Sequence, residues 1–98
     1  MEANKIIITG AATRMGAAIA KKLSGPGVEM VIHYNRSKSE AEKLQKELLK
    51  NKTKVYLVKG NLAKEQDLKK IIKFSKLKLK YFDCLVNNAS LFENDSLK

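Results

Sequence analysis

The residues best suited to chemistry begin with the run Thr9-Gly10-Ala11-Ala12-Thr13-Arg14-Met15-Gly16. Two glycines in a loop of small side chains follow the β-branched run Ile6-Ile7-Ile8 and precede a helix-like segment. Strand, glycine-bearing turn and helix start together suit a phosphate. The turn lets the backbone come close, and the first N–H groups of the helix, at the positive end of its dipole, face the anion. Gly10 supplies the tight turn, and Gly16 lets the helix pack closely on the strand or lets the ligand approach. The pattern is Thr-Gly-x-x-x-Arg-x-Gly, distinct from the commoner Gly-x-Gly-x-x-Gly. Arg14 is bulky for such a loop and must point outward. A charge beside a diphosphate accounts for it, and so does a plain surface arginine.

A second group, His33-Tyr34-Asn35-Arg36-Ser37, closes the next β-branched run. A site selective for NAD places an acid there to accept from the ribose 2′-OH. Here no acid occurs until Glu40. Arg36 instead offers a planar fork for a 2′-phosphate, and Ser37 a hydroxyl at a helix start. The expected cofactor is therefore NADP(H). Ser37 also reads as the helix cap, and the two roles are compatible; the bland reading of Arg36 is a solvated loop arginine. His33 is the only histidine, and at a strand end it reads more readily as a packed imidazole than as a catalyst. With one histidine and one distant cysteine, Cys84, there is no ligand cluster for a metal. A third group, Asn87-Asn88-Ala89-Ser90, follows another short β-branched run. Its amides read either as turn formers or as polar groups that orient a cofactor at a strand end.

Elements that position these groups alternate along the chain. Strands are expected over residues 5–9, 28–34, 53–58 and 83–86, separated by helices. Ser24-Gly25-Pro26-Gly27 stops the first helix, whose apolar face is read as Met15, Ile19 and Leu23. The second helix opens at Ser37, with Glu40 completing a capping box, and buries Ala41, Leu44 and Leu48. The third starts near Lys64 and turns Leu68, Ile71, Ile72 and Ser75 inward; its end is ambiguous because Leu77, Leu79 and Tyr81 alternate with lysines. Four strands joined by three helices imply right-handed crossovers and a parallel sheet covered on both faces. The expected class is α/β, the N-terminal half of a Rossmann-like doubly wound sheet. Its strand order should be 3-2-1-4, with the crevice between the first and fourth strands.

Composition bounds the rest. A chain of 98 residues accommodates one small domain. The net charge of +10 raises the question of nucleic acid. All basic residues but Arg14 and Arg36 are lysines, spread over every expected helix and loop without interleaved aromatics to stack bases. A solvated lysine-rich surface is the better reading, with a field that favours anionic ligands and no nucleic-acid partner. No apolar run approaches the ~20 residues that cross a membrane. The opening residues lack the regions of a secretion signal, and a lone Cys84 suits a reducing compartment. A cytoplasmic location is expected.

These motifs, in this order, resemble the N-terminal part of a short-chain dehydrogenase/reductase, and most of all the pteridine reductases. Thr9-Gly10-x-x-x-Arg14-Met15-Gly16 is similar to that family's glycine loop, with arginine at the middle glycine as in pteridine reductases. His33-Tyr34-Asn35-Arg36-Ser37 is similar to the basic segment that receives the NADP 2′-phosphate. Gly60-Asn61-Leu62 falls where the family carries Asp-Leu or Asn-Leu beside the adenine. Leu85-Val86-Asn87-Asn88-Ala89-Ser90 is similar to the Asn-Asn-Ala-Gly motif, with Ser90 in place of glycine, again a pteridine-reductase trait. The resemblance implies cofactor contacts at Gly10, Arg14, Met15, Gly16, His33, Tyr34, Asn35, Arg36, Ser37, Asn61, Leu62, Asn88, Ala89 and Ser90. It also implies a substrate pocket that includes Ser90 and Phe92, the latter covering a flat heterocycle; the plain alternative is that Phe92 is a loop aromatic tucked against the core.

Members of that family are well over twice this length, and their catalytic Tyr-x-x-x-Lys lies in the later half. The literal match Tyr34-x-x-x-Lys38 ends a strand on the adenine side and is not that pair. No catalytic residue is therefore assigned, and residues 1–98 are expected to be an incomplete dinucleotide-binding domain, inactive alone. The parent is expected to be a homo-oligomer reducing a pterin-like or other carbonyl or imine substrate. A 3-oxoacyl-carrier-protein reductase and a non-catalytic nucleotide-binding module stand as the alternatives.

Overall fold

Ile6, Ile7 and Ile8 form the centre of β1 (Lys5–Thr9), and the strand period sends Ile6 and Ile8 to one face and Ile7 to the other. All three are buried, each worth roughly 1.5–3 kcal/mol by removal from water. The computed structural model describes residues 4–88. Along it follow α1 (Arg14–Leu23), β2 (Glu29–Tyr34), α2 (Lys38–Lys50), β3 (Lys54–Lys59), α3 (Glu65–Leu79) and β4 (Cys84–Asn87). The sheet is ordered β3-β2-β1-β4 and every pairing is parallel, as expected. β1 and β2 are central and read as nearly continuous apolar runs because helices cover both of their faces.

One layer joins Ile6, Ile8, Met30, Ile32 and Val55 to Ala20 of α1 and to Leu44 and Leu48 of α2. The other joins Ile7, Val31 and Val58 to Ile71 and Leu79 of α3. Parallel strands put all four C-terminal ends on one rim. The direction of strand order reverses there between β1 and β4, and the loops that follow the strands gather on it.

Two helices are rotated from their expected phase. On α1 the buried positions are Gly16 and Ala20, while Met15 is 67% and Leu23 37% exposed. Small residues win this face because the helix start lies directly on the glycine loop, leaving no room for a longer side chain. On α3 the inward row is Ile71, Ser75 and Leu79, and Leu68 and Ile72 are exposed. Ser75 tolerates burial by donating its hydroxyl to the Ile71 carbonyl at 2.8 Å. The lysine-rich tail continues the helix to Leu79, where Lys80 adopts φ 69° and donates its N–H to the Lys76 carbonyl.

The capping box at α2 does not form. Ser37 stands at the N-cap with no cap bond from its side chain, because the backbone turns tightly there, Lys38 N–H donating to the Arg36 carbonyl at 2.9 Å. At the opposite end of the sheet Asp83 clips β1 to β4. Its Oδ2 accepts the N–H groups of Asn4 and Lys5 at 3.1 and 3.0 Å, and its own N–H donates to the Lys5 carbonyl.

Candidate functional site

β1 delivers the glycine loop to the rim. Gly10 has φ 65°, a left-handed conformation that a side chain disfavours. Its carbonyl accepts three donors: the Thr13 N–H at 3.3 Å, the Thr13 hydroxyl at 2.9 Å and the Asn88 amide at 3.0 Å. Thr13 is the N-cap of α1, its Oγ1 accepting the Gly16 N–H at 3.0 Å and the Asn88 Nδ2–H at 2.9 Å. The N–H groups of Arg14 and Met15, at the first two helical positions, have no carbonyl partner within their own helix. The loop is thus rigid at its carbonyl side and presents helix-start donors beside the exposed Arg14.

Gly16 permits this closeness. A β-carbon there would run into the Gly10 carbonyl oxygen and would lie 2.7 Å from the Ala11 Cα and 2.9 Å from Asn88 Nδ2. Asn87 contributes from the neighbouring strand, accepting the Thr9 hydroxyl through Oδ1 at 2.9 Å.

β2 delivers His33, Tyr34, Asn35 and Arg36. The His33 ring is 2% exposed and lies between two loops. Its Nδ1 accepts the Gly10 N–H at 3.1 Å, and its Nε2 is 2.7 Å from the Gly60 carbonyl oxygen. An amide N–H only donates and a carbonyl only accepts, which assigns the neutral tautomer with the proton on Nε2. Burial pushes this imidazole below its ordinary pKa, and the bond to Gly60 opposes that shift.

Beside it opens a cleft of about 480 Å³, lined by Asn35, Arg36, Lys59, Gly60, Asn61, Lys64, Asp67 and Lys70. Four cations meet a single carboxylate. That carboxylate is engaged: Asp67 Oδ2 accepts the Asn61 N–H at 2.8 Å. The Arg36 guanidinium makes no ion pair with any described residue.

The structure thus gathers the expected site residues into two groups. Gly10, Gly16 and Asn88 meet at the glycine loop, with Arg14 and Met15 exposed at the start of α1. Asn35, Arg36 and Asn61 meet in the basic cleft, with the exposed Ser37 adjoining in sequence. His33 and Tyr34 are buried, and Leu62 is half-buried against the α3-side core. Ala89, Ser90 and Phe92 lie outside the described residues. Tyr34 and Lys38 stand on different elements, the first buried at the end of β2 and the second starting α2. Sequence reasoning missed Thr13, whose spacing before Gly16 is that of an N-cap, and Lys59, Lys64 and Lys70, which only the fold brings together.

The sequence model of the short chain dehydrogenase family matches residues 4–98. The chain belongs to the short-chain dehydrogenase family. Within it, a 3-oxoacyl-[acyl-carrier-protein] reductase of Synechocystis is 30% identical over 91 residues, covering 93% of this chain and 37% of that protein. The short-chain dehydrogenase/reductase homolog YusS of Bacillus subtilis is 32% identical over 89 residues, 90% of this chain and 82% of YusS. Among solved structures, FolM alternative dihydrofolate reductase 1 of Brucella canis, complexed with NADP, superposes with a TM-score of 0.76 at 31% identity. That match covers 89% of this chain and 35% of FolM. The chain therefore spans little more than a third of the reductases it matches, and most of the shorter YusS.

Proposed function

We propose that residues 1–98 are an incomplete dinucleotide-binding domain, the cofactor-binding portion of an NADP(H)-dependent oxidoreductase acting on a pterin-like ring. One observation carries the cofactor choice. The end of β2 holds Asn35 and Arg36 in place of an acid, within a cleft whose other cations are Lys59, Lys64 and Lys70 and whose only carboxylate accepts the Asn61 backbone N–H. A 2′-phosphate is the anion such a cleft suits, and FolM, similar over most of this chain, was crystallised with NADP.

In this reading the glycine loop and the first turn of α1 hold the diphosphate, with Arg14 beside it. Arg36 grips the 2′-phosphate, and the Ser37 hydroxyl, which makes no cap bond, is available to join it. Asn61 and Leu62 flank the adenine, Asn88 holds the loop, and Ala89 is assigned to the nicotinamide side. NADPH, when bound, supplies a hydride. No residue here is assigned as proton donor, so the 98 residues bind and orient without reducing.

The pterin preference rests on Arg14 within the glycine loop, on Ser90 after Asn87-Asn88-Ala89, and on the likeness to an alternative dihydrofolate reductase. Ser90 reaches cofactor and substrate, and Phe92 stacks on the ring, a contact worth about 0.5–1.5 kcal/mol beyond area burial. The similarity to 3-oxoacyl-[acyl-carrier-protein] reductases favours a second reading, a carbonyl thioester as substrate.

Titrating the chain with NADP(H) and NAD(H) tests the first part: NADP(H) binds more tightly, and equal affinities overturn it. The substrate is tested in the longer protein carrying this chain, with dihydrobiopterin or dihydrofolate set against an acetoacetyl thioester, and again with Phe92→Ala. Preference for the thioester, or unchanged pterin kinetics in the variant, removes the pterin assignment.

A further inference from the structure

One buried polar side chain in the site is given no role in that cofactor reading. His33 lies in β2, between β1 and β3, and its ring reaches sideways in both directions. On one side it meets the Gly10 N–H, on the other the Gly60 carbonyl, so a single planar ring spans the loops that follow β1 and β3. Each loop is also tied to the β2 end through the backbone. Ala11 N–H donates to the His33 carbonyl at 3.0 Å and Gly60 N–H to the Tyr34 carbonyl at 3.0 Å. The ring adds what those bonds lack, a fixed distance between one loop and the other.

The two arms differ in kind. The Nε2 arm ends on a carbonyl and holds the proton on that nitrogen. The Nδ1 arm then has a lone pair, the only form that can accept from Gly10. Gly10 is the pivot of the glycine loop, left-handed at φ 65°. Its carbonyl is fixed by Thr13 and Asn88, so His33 fixes its remaining polar group. With both held, the direction of the peptides running on to the start of α1 is set.

We infer that His33 is a positioning residue: its Nδ1, held unprotonated by the bond from Nε2 to Gly60, aims the glycine loop at the cofactor diphosphate without touching it. This rests on the reading that the loop binds a diphosphate, and the test separates the two.

Asparagine places its Oδ1 near where Nδ1 stands but falls short of Gly60. Glutamine reaches Gly60 and lacks an acceptor at the Nδ1 position. Titrations of the full chain with NADP(H) compare the wild type, His33→Asn and His33→Gln, with far-UV circular dichroism and thermal melts confirming that each folds. His33→Asn keeps the affinity within about threefold, whereas His33→Gln loses about tenfold, the effect of one hydrogen bond to a loop amide. Equal losses in the two variants, or none in either, overturn the inference.

Because His33 is the only histidine, its ring nitrogens give unambiguous ¹⁵N resonances. They should show a protonated Nε2 and an unprotonated Nδ1 at neutral pH, and a proton on Nδ1 rules the assignment out. Exchange of the Gly10 amide should be faster in His33→Gln than in His33→Asn; equal rates refute the role. These two readouts need no ligand, so they still decide the role of His33 if the wild type fails to bind NADP(H), a result that refutes only the cofactor reading.

Discussion

Gly16 lies against Gly10 so closely that no β-carbon fits between them. The obstacle is backbone, the Gly10 carbonyl oxygen and the Ala11 Cα, and neither can swing aside as a flexible side chain would. Gly16→Ala must therefore separate the start of α1 from the glycine loop or strain both. Urea unfolding should show a loss of about 1–3 kcal/mol, the usual range for overpacking. NADP(H) affinity should fall with it. An alanine variant as stable and as tight as the wild type would show that the loop is softer than its bonding implies.

Arg36 is the cation of the basic cleft with a planar fork, and a charge-assisted contact to phosphate is worth on the order of 1.5–3 kcal/mol. Arg36→Ala should lower the preference for NADP(H) over NAD(H) by about tenfold or more, leaving NAD(H) affinity nearly unchanged. Paired titrations at fixed ionic strength measure this, since salt screens exposed charges. A variant with the preference intact would transfer the role to Lys59, Lys64 or Lys70.

His33 also sets a pH dependence of stability. Its folded pKa lies below the ordinary 6.5, chiefly through burial, so the unfolded chain takes up a proton more readily than the folded one. The contribution of the neutral ring is fully present above pH 6.5 and is lost as the pH falls from there through the lowered folded value. Denaturant midpoints measured from pH 8 down to pH 5 should decline in that window, and His33→Asn should flatten the decline. A slope identical in both proteins would place its source elsewhere.

Asp83 provides the contrast. It joins β1 to β4 at the end of the sheet away from the rim, accepting two backbone N–H groups. Asp83→Ala should cost about 1–2 kcal/mol in unfolding free energy, modest because the bonds are exposed. The ratio of NADP(H) to NAD(H) affinities should not move. A changed ratio would mean that the register of β4 governs the cleft.

Much of this fold is legible from strand composition. The Ile6-Ile7-Ile8 run and the core of β2 are short, uninterrupted apolar stretches that suit strands buried on both faces, and alternation of strands with helices leaves parallel order 3-2-1-4 as the natural solution. Helix phase was less legible. Met15, Leu68 and Ile72 satisfy a helical period and yet are exposed, because the contact surface of α1 is set by the glycine loop and that of α3 by Ile71, Ser75 and Leu79. A hydrophobic pattern cannot register a requirement for smallness. In the site, Gly10, Gly16 and Arg36 announce themselves by type and spacing. Lys59, Lys64 and Lys70 do not, since on a lysine-rich chain nothing local distinguishes the ones that share a cleft. The bridging role of His33 depends on two glycines far from it in sequence, and only the sheet order brings them to its ring.

The anchors of the glycine loop are unequal in sequence distance: His33 meets Gly10 across 23 residues and Asn88 meets it across 78. Closing the longer loop costs roughly 1 kcal/mol more in chain entropy, and contacts of such span form late. During synthesis the β1–β2 side of the loop can be secured early, while the amide that holds the Gly10 carbonyl arrives only once Asn88 has left the ribosome. Until Asn88 is in place the Gly10 carbonyl is held by Thr13 alone, so the glycine loop gains its last anchor long after β1, α1 and β2 have been made.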